Sequence, residues 1–585
     1  MPRVLLSVSA LCLAILVHDC VAQGKVDAVM PGTIVVEPAT PSALGVRWPV
    51  IGDRNLNATI AVAYRKTGNP TWSVGYPLFR TFNDRVSPDN AVADGHLFAG
   101  SIVDLEPDTE YEVRFALEDP DGGSAVRNLK LRTAAVPRLR VAMKQRHVVP
   151  LAAGAAPGGS GTAADPFRGL QAALRRAQPG DLLSLASGIY ADGPFVLGSS
   201  GTRELPIAIR GPRDRSAVLD GRGSELLIDV SGREHVWFEW LTLRNAATLL
   251  KADRASYITA LRNSFEVLRF GFRSHGAVYR EAVGLYVSDN VFTGNARWPR
   301  SRGIEEIYAI SVTGSGHVIS YNLIRNVGDA VHNGDYGRLS ATDIHNNDID
   351  VCTDDGIEAD YSDTNVRIFR NRITNCFSGI SMQPVHGGPV YVFRNALLNL
   401  EYSPFKLHND MAGALIFHNT SVKSGIPFPI SNGGETVRDV VTRNNLFVGT
   451  GSPALYSSGA MSRTDFDNDG YEWPGRGGFA VWNGRTYGSM TAAVGSGALY
   501  SERGAIAMGP HLTFAGPLAA PQSHHRQIDR STHDPRLAAS SRAVDRGVRL
   551  PNFNDQFRGA RPDLGCCEAG HDLPWFGPRP EEPKQ

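Results

Sequence analysis

Apolar and polar residues alternate in two different rhythms along this chain. Between residues 31 and about 135 the rhythm is short and strand-like: ALGVRW, TIAVAYRK, LFAGSIVDL and EPDTEYEVRFALED. The last run puts Tyr111, Val113, Phe115 and Leu117 on one face, so the segment predicts a small β-sandwich with Trp48 in its core. A Gly/Ala/Ser stretch, AAGAAPGGSGTAADP at residues 152 to 166, then breaks the pattern, with Asp165 placed as a helix N-cap and Pro166 at the first helical position. Phe167, Leu170, Leu174 and Ala177 follow at helical spacing, with Arg168, Arg175 and Arg176 outward, until Pro179 and Gly180 stop the helix. Strands resume at DLLSLASGIY.

From there the chain repeats. An asparagine followed two residues later by an apolar residue appears in RNSF, DNVF, YNLI, NNDI, RNRI, RNAL and RNNL, with HNTSV a looser copy. These asparagines are Asn263, Asn290, Asn322, Asn347, Asn371, Asn395, Asn419 and Asn444, with steps of 27, 32, 25, 24, 24, 24 and 25 residues. A unit this short, rich in β-branched residues and Gly/Asn turns, suits one coil of a parallel β-helix and not a helix pair or a propeller blade. Stacked asparagines would then hydrogen-bond from coil to coil. Cys352 and Cys376, each five residues after a repeat asparagine, would lie one above the other, about 4.8 Å apart along the pairing direction.

Two resemblances sharpen this. Leu105, Pro107, Thr109 and Tyr111 form an L-x-P-x-T-x-Y run that resembles fibronectin type III domains, in which the tyrosine ties a corner to nearby backbone; such domains are spacers or docking modules. Residues 145 to about 450 resemble the right-handed parallel β-helix enzymes of the pectate lyase-like superfamily, and LQAALRRAQPGDLLSLASGIY is similar to the cap helix and first coil of the alginate and chondroitin lyase group. SSRAVDRGVRLPNFNDQFRGARPDLGCCEAG resembles the C-terminal cap of exported β-helix proteins. The expected organisation is a fibronectin type III-like sandwich over 31–135, a capped solenoid over 145–450, a C-terminal extension over 451–572 and a disordered Pro-rich tail over 573–585.

Composition adds the compartment and the partner class. MPRVLLSVSALCLAILVHDCVAQGK has a basic start, an apolar run too short to span a membrane and a cut site after Ala22, so residues 1–22 read as a secretory signal and the mature protein as secreted or periplasmic. Cys352, Cys376, Cys566 and Cys567 then remain for an oxidising compartment, in spacings that fit no zinc motif. With 59 basic and 59 acidic residues there is no global field to gather nucleic acid or membrane, so a polyanion must be bound locally. The expected partner is a polysaccharide met by a monomer.

The solenoid puts distant residues in register. The strand AVHNG recurs as GIEAD, GISMQ and PFKLH, stacking Val331, Ile357, Ile380 and Phe405 inward at steps of 26, 23 and 25. Alternation then sends His332, Glu358, Asp360, Ser381, Gln383, Lys406 and His408 outward into a polar strip, with Asp354 and Asp355 just before it. Expected catalytic residues are Glu358, Asp360, Lys406, His408 and His332, and expected substrate contacts are Gln383, Asp355 and Asp354. The superfamily resemblance implies a long sugar chain lying on this face. Two reactions fit. Hydrolysis would divide acid and base roles between Glu358 and Asp360. β-Elimination from a uronate would use the E-x-D pair, similar to the metal-binding acids of the alginate and chondroitin lyases, to hold Ca²⁺ through Glu358 and Asp360 while Lys406 or a histidine removes the C5 proton. The lysine those lyases carry shortly after the pair is replaced here by YSDTN, and VHGG at 385 to 388 only partly matches the glycine-flanked histidine of polygalacturonases. A polysaccharide epimerase and a non-catalytic glycan-binding or surface-structural solenoid are the rival readings. Three other features stand apart. RTDFDNDGYEW resembles half a calcium loop but has Arg476 where the twelfth-position glutamate belongs, THDPR lies outside the repeats, and the insertion between Asn290 and Asn322 carries Arg297, Trp298, Arg300 and Arg302.

Overall fold

The computed structural model describes residues 27–82, 86–139, 143–276, 282–301, 303–334, 337–430, 432–495, 506–507 and 514–580. The signal segment and Arg302 lie outside them. No helix among the described residues is long and apolar enough to cross a membrane.

The first rhythm forms a sandwich of two antiparallel sheets, one built around strands Leu44–Ile51 and Gly95–Ile102, the other around Thr59–Lys66, Glu110–Glu118 and Ala125–Arg132. Tyr111, Val113, Phe115 and Leu117 all face the core, and Phe115 meets the fully buried Trp48 edge to face at 6.5 Å. The Glu106 backbone N–H donates to the Tyr111 hydroxyl at 2.9 Å, which is the corner tie expected of that tyrosine.

The second rhythm forms a parallel β-solenoid of about 12 turns, with long sheets of 15 and 18 strands. One apolar column runs Ile310, Val331, Ile357, Ile380, Phe405 in direct pairing, as the sequence register required. Cys352 and Cys376 pair in the same way and are buried thiols. The asparagine ladder is continuous. Each member's Oδ1 accepts from both the backbone N–H and Nδ2 of the asparagine one coil earlier, as Asn395 does from Asn371 at 3.0 Å each. One step differs from expectation: Asn445, not Asn444, carries the ladder, and Asp469 closes it by accepting from Asn445 at 2.8 Å. Every rung is preceded by a residue at positive φ, among them Arg370 at 54°, Arg394 at 57° and Asn444 at 60°, so the first asparagine of the pair turns the corner. Residues other than glycine hold that conformation at a cost, which the saturated ladder offsets. Asp469 thereby has a structural task and Asp465 is ion-paired to Arg443 at 2.5 Å, so the DFDND run is a coil corner and not a calcium loop.

Other boundaries move. The cap helix is shorter than expected, Leu170–Leu174 after Gly169, because Phe167–Arg168 pairs as a strand with Val148–Val149 and Asp165 accepts from Ser160 N–H in the preceding turn. Leu170, Ala173, Leu174 and Ala177 still close the end of the core. Parallel pairing passes residue 450 and includes Gly470–Glu472. Residues 514–580 do not cover the far end; they run back along the flank as a strap. Ile528 N–H donates to Asn375, Cys566 N–H to Thr420, and Asn346 Nδ2 to the Trp575 carbonyl. Arg579 is paired with Asp289 at 2.6 Å, which corrects the expected disorder for residues 573–580.

The sandwich is docked on the first long sheet. Arg367 and Asp343, both buried, form an ion pair that also engages Ser101 at 2.9 Å and Thr40 at 2.5 Å. Arg370 grips Asp104 with two bonds of 2.6 and 2.7 Å. Tyr391, Phe393, Leu415 and Phe417 from the sheet pack with Val103 of the sandwich and Phe553 of the strap. That docking leaves the second long sheet as the face on which the polar strip stands.

Candidate active site

The strip is built by four neighbouring strands, Tyr308–Val312, Asp329–Asn333, Asp348–Glu358 and Arg372–Ser381, with Phe405–Lys406 beyond them. Val331 and Ile357 are paired in the core, so the next residue of each, His332 and Glu358, faces out; Asp329 and Asp355 lie two positions before them, and the ladder is irregular between Cys352 and Asp355. Ser381 lies between Glu358 and Lys406 in the ladder.

Three carboxylates converge. Asp329, Asp355 and Glu358 each offer an oxygen within 4.8 Å of the other two. Lys406 Nζ bonds Asp355 Oδ2 at 2.8 Å, and Asp355 N–H donates to Asp329 Oδ1 at 2.7 Å. The other oxygen of Asp355, Oδ1, is buried and has no hydrogen-bond partner. Asp354 borders the trio and meets Arg300 at 3.3 Å, whose guanidinium lies 4.4 Å over the Phe377 ring. Asp360 stands beside the trio and not in it, since its Oδ1 accepts from Ser381 Oγ and from Gln383 N–H, both at 2.7 Å. Gln383 contributes this backbone donor, and its own Oε1 is buried without a partner.

Crowding these charges out of water shifts their protons. Burial, followed by the charges of Asp354 and Asp355, raises the Asp329 carboxyl well above its ordinary range. Burial and then Asp329, Asp360 and Asp355 do the same to Glu358. Asp360 is pushed up to about 7 by burial and Asp355, against its bonds from Ser381 and Gln383, and Asp354 to about 6 by burial and Asp355. For Lys406, burial works to remove the proton, but the charge and hydrogen bond of Asp355, with Asp360 and Asp354, outweigh it and hold the ammonium. Lys406 is thus held as an ammonium, a form with no lone pair to accept a proton.

A relay of side chains fixes the histidine. Arg273 Nε can only donate, and it meets His275 Nδ1 at 3.3 Å. His275 then carries its proton on Nε2, toward Ser311 Oγ at 2.7 Å. Ser311 donates its hydroxyl hydrogen bond to His332 Nδ1, also at 2.7 Å. His332 is left with Nε2–H facing Glu358 Oε2 at 3.5 Å. His332 in this tautomer points its N–H at Glu358. His408 falls past the end of the strand, next to Gly433, where burial and then Lys406 lower its pKa, and it stays outside the trio.

Alternation thus pointed to Glu358, Asp360, Lys406 and His332, and position just before the strand to Asp354 and Asp355; the structure brings these six together. Asp329 is not legible from alternation, because two positions before the inward Val331 a regular strand would turn it inward. Ser311 and His275, one and two coils before His332, carry no motif of their own. Of the acidic pair expected to hold a cation, Glu358 belongs to the trio, whose oxygens lie close enough together to share one, and Asp360 stands beside it.

It is a parallel β-helix protein. The chain matches no known family profile and no curated protein. Among solved structures it is similar to AlyGC, a PL6 family alginate lyase, at 15% identity over 68% of this chain and 58% of that one, with a TM-score of 0.40. It is also similar to XylC in complex with xylose, at 13% over 58% and 86%, TM-score 0.38. A PL6 family polysaccharide lyase from Pseudopedobacter saltans follows at 11% over 65% and 96%, TM-score 0.32. This chain thus spans a little over half the length of AlyGC. These are likenesses of repeat architecture, and the side-chain roles rest on the geometry above.

Proposed function

We propose that the strip binds an acidic polysaccharide and cleaves it by β-elimination, in an exported protein. The observation that carries this reading is the convergence of three carboxylates beside one protonated lysine, with an acceptor of Asp355 left open. Oxygen donors at this spacing suit Ca²⁺, which takes oxygen ligands at about 2.3–2.6 Å, and Asp329, Asp355 and Glu358 would hold it. Bound there, the cation would neutralise a uronate carboxylate and acidify the adjacent C5–H. Asp360, with a proton affinity matched to neutral pH, takes the C5 proton. The C–H electrons form the C4–C5 double bond, the C4–O bond breaks, and the Lys406 ammonium protonates the departing oxygen. His332 donates to Glu358 and keeps it in place.

A second reading draws on the same pair of acids. Glu358 and Asp360 both bind protons more tightly than free carboxyls, so one could protonate a glycosidic oxygen while the other activates water. Unsaturated-uronate absorbance and reducing ends, followed together on a panel of acidic polysaccharides with Ca²⁺ or a chelator, separate the two. We expect both signals, dependent on the cation, and a fall in kcat of about 10²–10⁴ in Asp360→Asn and Lys406→Met, each variant verified as folded by circular dichroism at the assay temperature. Reducing ends without absorbance would establish hydrolysis. Binding with neither product would leave a glycan-binding solenoid.

A further inference from the structure

A groove on the other long sheet has a chemistry of its own. It follows the outward column Ala208, Trp237, Thr259, Tyr286, one residue from each of four successive coils, so it is roughly 14 Å long at about 4.8 Å per coil. Two cavities, of about 470 and 740 Å³, adjoin there, and Trp237 and Arg138 line both.

Beneath the groove surface lie two donors without a partner in the protein, both sheltered from solvent. Trp237 is only 6% exposed, and its indole N–H has no hydrogen-bond partner. Buried indoles ordinarily find one. The Nε of Arg262 is equally unmet, although its NH1 reaches Glu239 at 3.3 Å. Flat faces accompany the donors. Arg215 and Arg262 sit over the Trp240 ring at 5.6 and 5.5 Å, and Tyr257, 48% exposed, stacks on His235 with ring centroids 4.7 Å apart. Positive charge prevails around them. Glu239 fixes Arg210 at 2.7 Å beside Arg262, while Arg138 and Arg203 are exposed and make no ion pair among the described residues. Arg213 and Arg579, the latter paired with Asp289, complete the lining, whose own acids are Glu204 and Glu239.

The exposed ring of Tyr257 offers a face to sugar rings, and the exposed guanidiniums of Arg138 and Arg203 offer forks to carboxylate or sulfate. We propose that this groove is a second binding site for an anionic polysaccharide, one that holds the chain without cutting it. The groove's own side chains select the ligand class; that the same polymer is cleaved at the strip rests on the reading above.

The test uses the full chain and gel retention by embedded alginate, polygalacturonate and heparin at low salt. Three proteins are compared: wild type, the groove variant Arg138→Ser/Arg203→Ser/Tyr257→Ala, and the strip variant Asp355→Asn. All three changes in the groove variant are at exposed positions, and a thermal melt verifies its fold. We expect the groove variant to lose at least fivefold in retention and the strip variant to keep more than half. Retention of the groove variant equal to wild type would overturn the proposal, as would displacement of the glycan by single-stranded oligonucleotide at equal charge concentration. Groove-dependent retention in a protein that yields no product from any polymer would uphold the groove and sink the cleavage reading.

Discussion

Asp360 shows how one side chain sets a property of the whole site. Its folded-state pKa of about 7 stands above the ordinary 3.8 because burial and Asp355 both oppose a second negative charge. The fold thus favours the protonated form. The stability this group contributes is full below about pH 4 and is lost as the pH rises through 7, at up to about 1.4 kcal/mol per pH unit for the retained proton. Asp354, raised to about 6, and Asp469 and Glu472, each raised to about 7, act in the same direction. We therefore expect protein in chelator to melt at progressively lower temperature from pH 5 to 8, and Asp360→Asn to flatten part of that slope. Added Ca²⁺ should flatten it further and release protons on binding. A wild-type melting temperature that rises with pH in chelator would contradict the assignment. Asp360 was legible from strand alternation, but the direction of its shift was not, because it depends on Asp355 and on burial that no local pattern encodes.

The coil is the element that repeats, and its rung is a single asparagine. Asn395 accepts two bonds from Asn371 and donates through Nδ2 to the Ile368 carbonyl at 2.9 Å and to Asn419 Oδ1 at 2.9 Å. Removing it orphans buried donors on one side and an acceptor on the other. Asn395→Ala should cost on the order of 3 kcal/mol in urea unfolding. Asp469→Asn, at the end of the ladder, keeps the acceptor for Asn445 and removes a buried carboxyl, so it should change stability by less than about 1 kcal/mol. Equal losses in the two would mean that the ladder is not cooperative. Most of this element was legible from spacing alone. The exception, Asn444 against Asn445, is one that spacing cannot resolve, because two adjacent asparagines fit the period almost equally and only the corner conformation separates them. The cap helix shortened for a similar reason: Phe167 fits a helical face, yet strand pairing with Val148 claims it.

At the scale of the molecule, the sandwich and the solenoid share one buried polar network. Arg367 is 0% exposed and neutralises Asp343, to which Thr40 and Ser42 of the sandwich also donate. Arg367→Ala would leave that carboxylate buried without its cation, at about 3–5 kcal/mol. It should loosen the sandwich, with proteolysis appearing in residues 27–139 before the solenoid unfolds. Protection of both parts to a single melting point in the variant would show that the apolar cluster around Tyr391 and Phe417 is sufficient.

The sequence by itself determined the solenoid, its period, the sandwich before it and the outward strip of Glu358, Asp360 and Lys406, since each follows from side-chain alternation and local repeat. Tertiary structure alone decided which carboxylates meet, that Lys406 keeps its proton, that His332 is held as a donor through Ser311 and His275, and that residues 514–580 lie along the flank. Those outcomes depend on distances between coils and on the loss of water around them. Both are properties of the assembled stack and of no single segment.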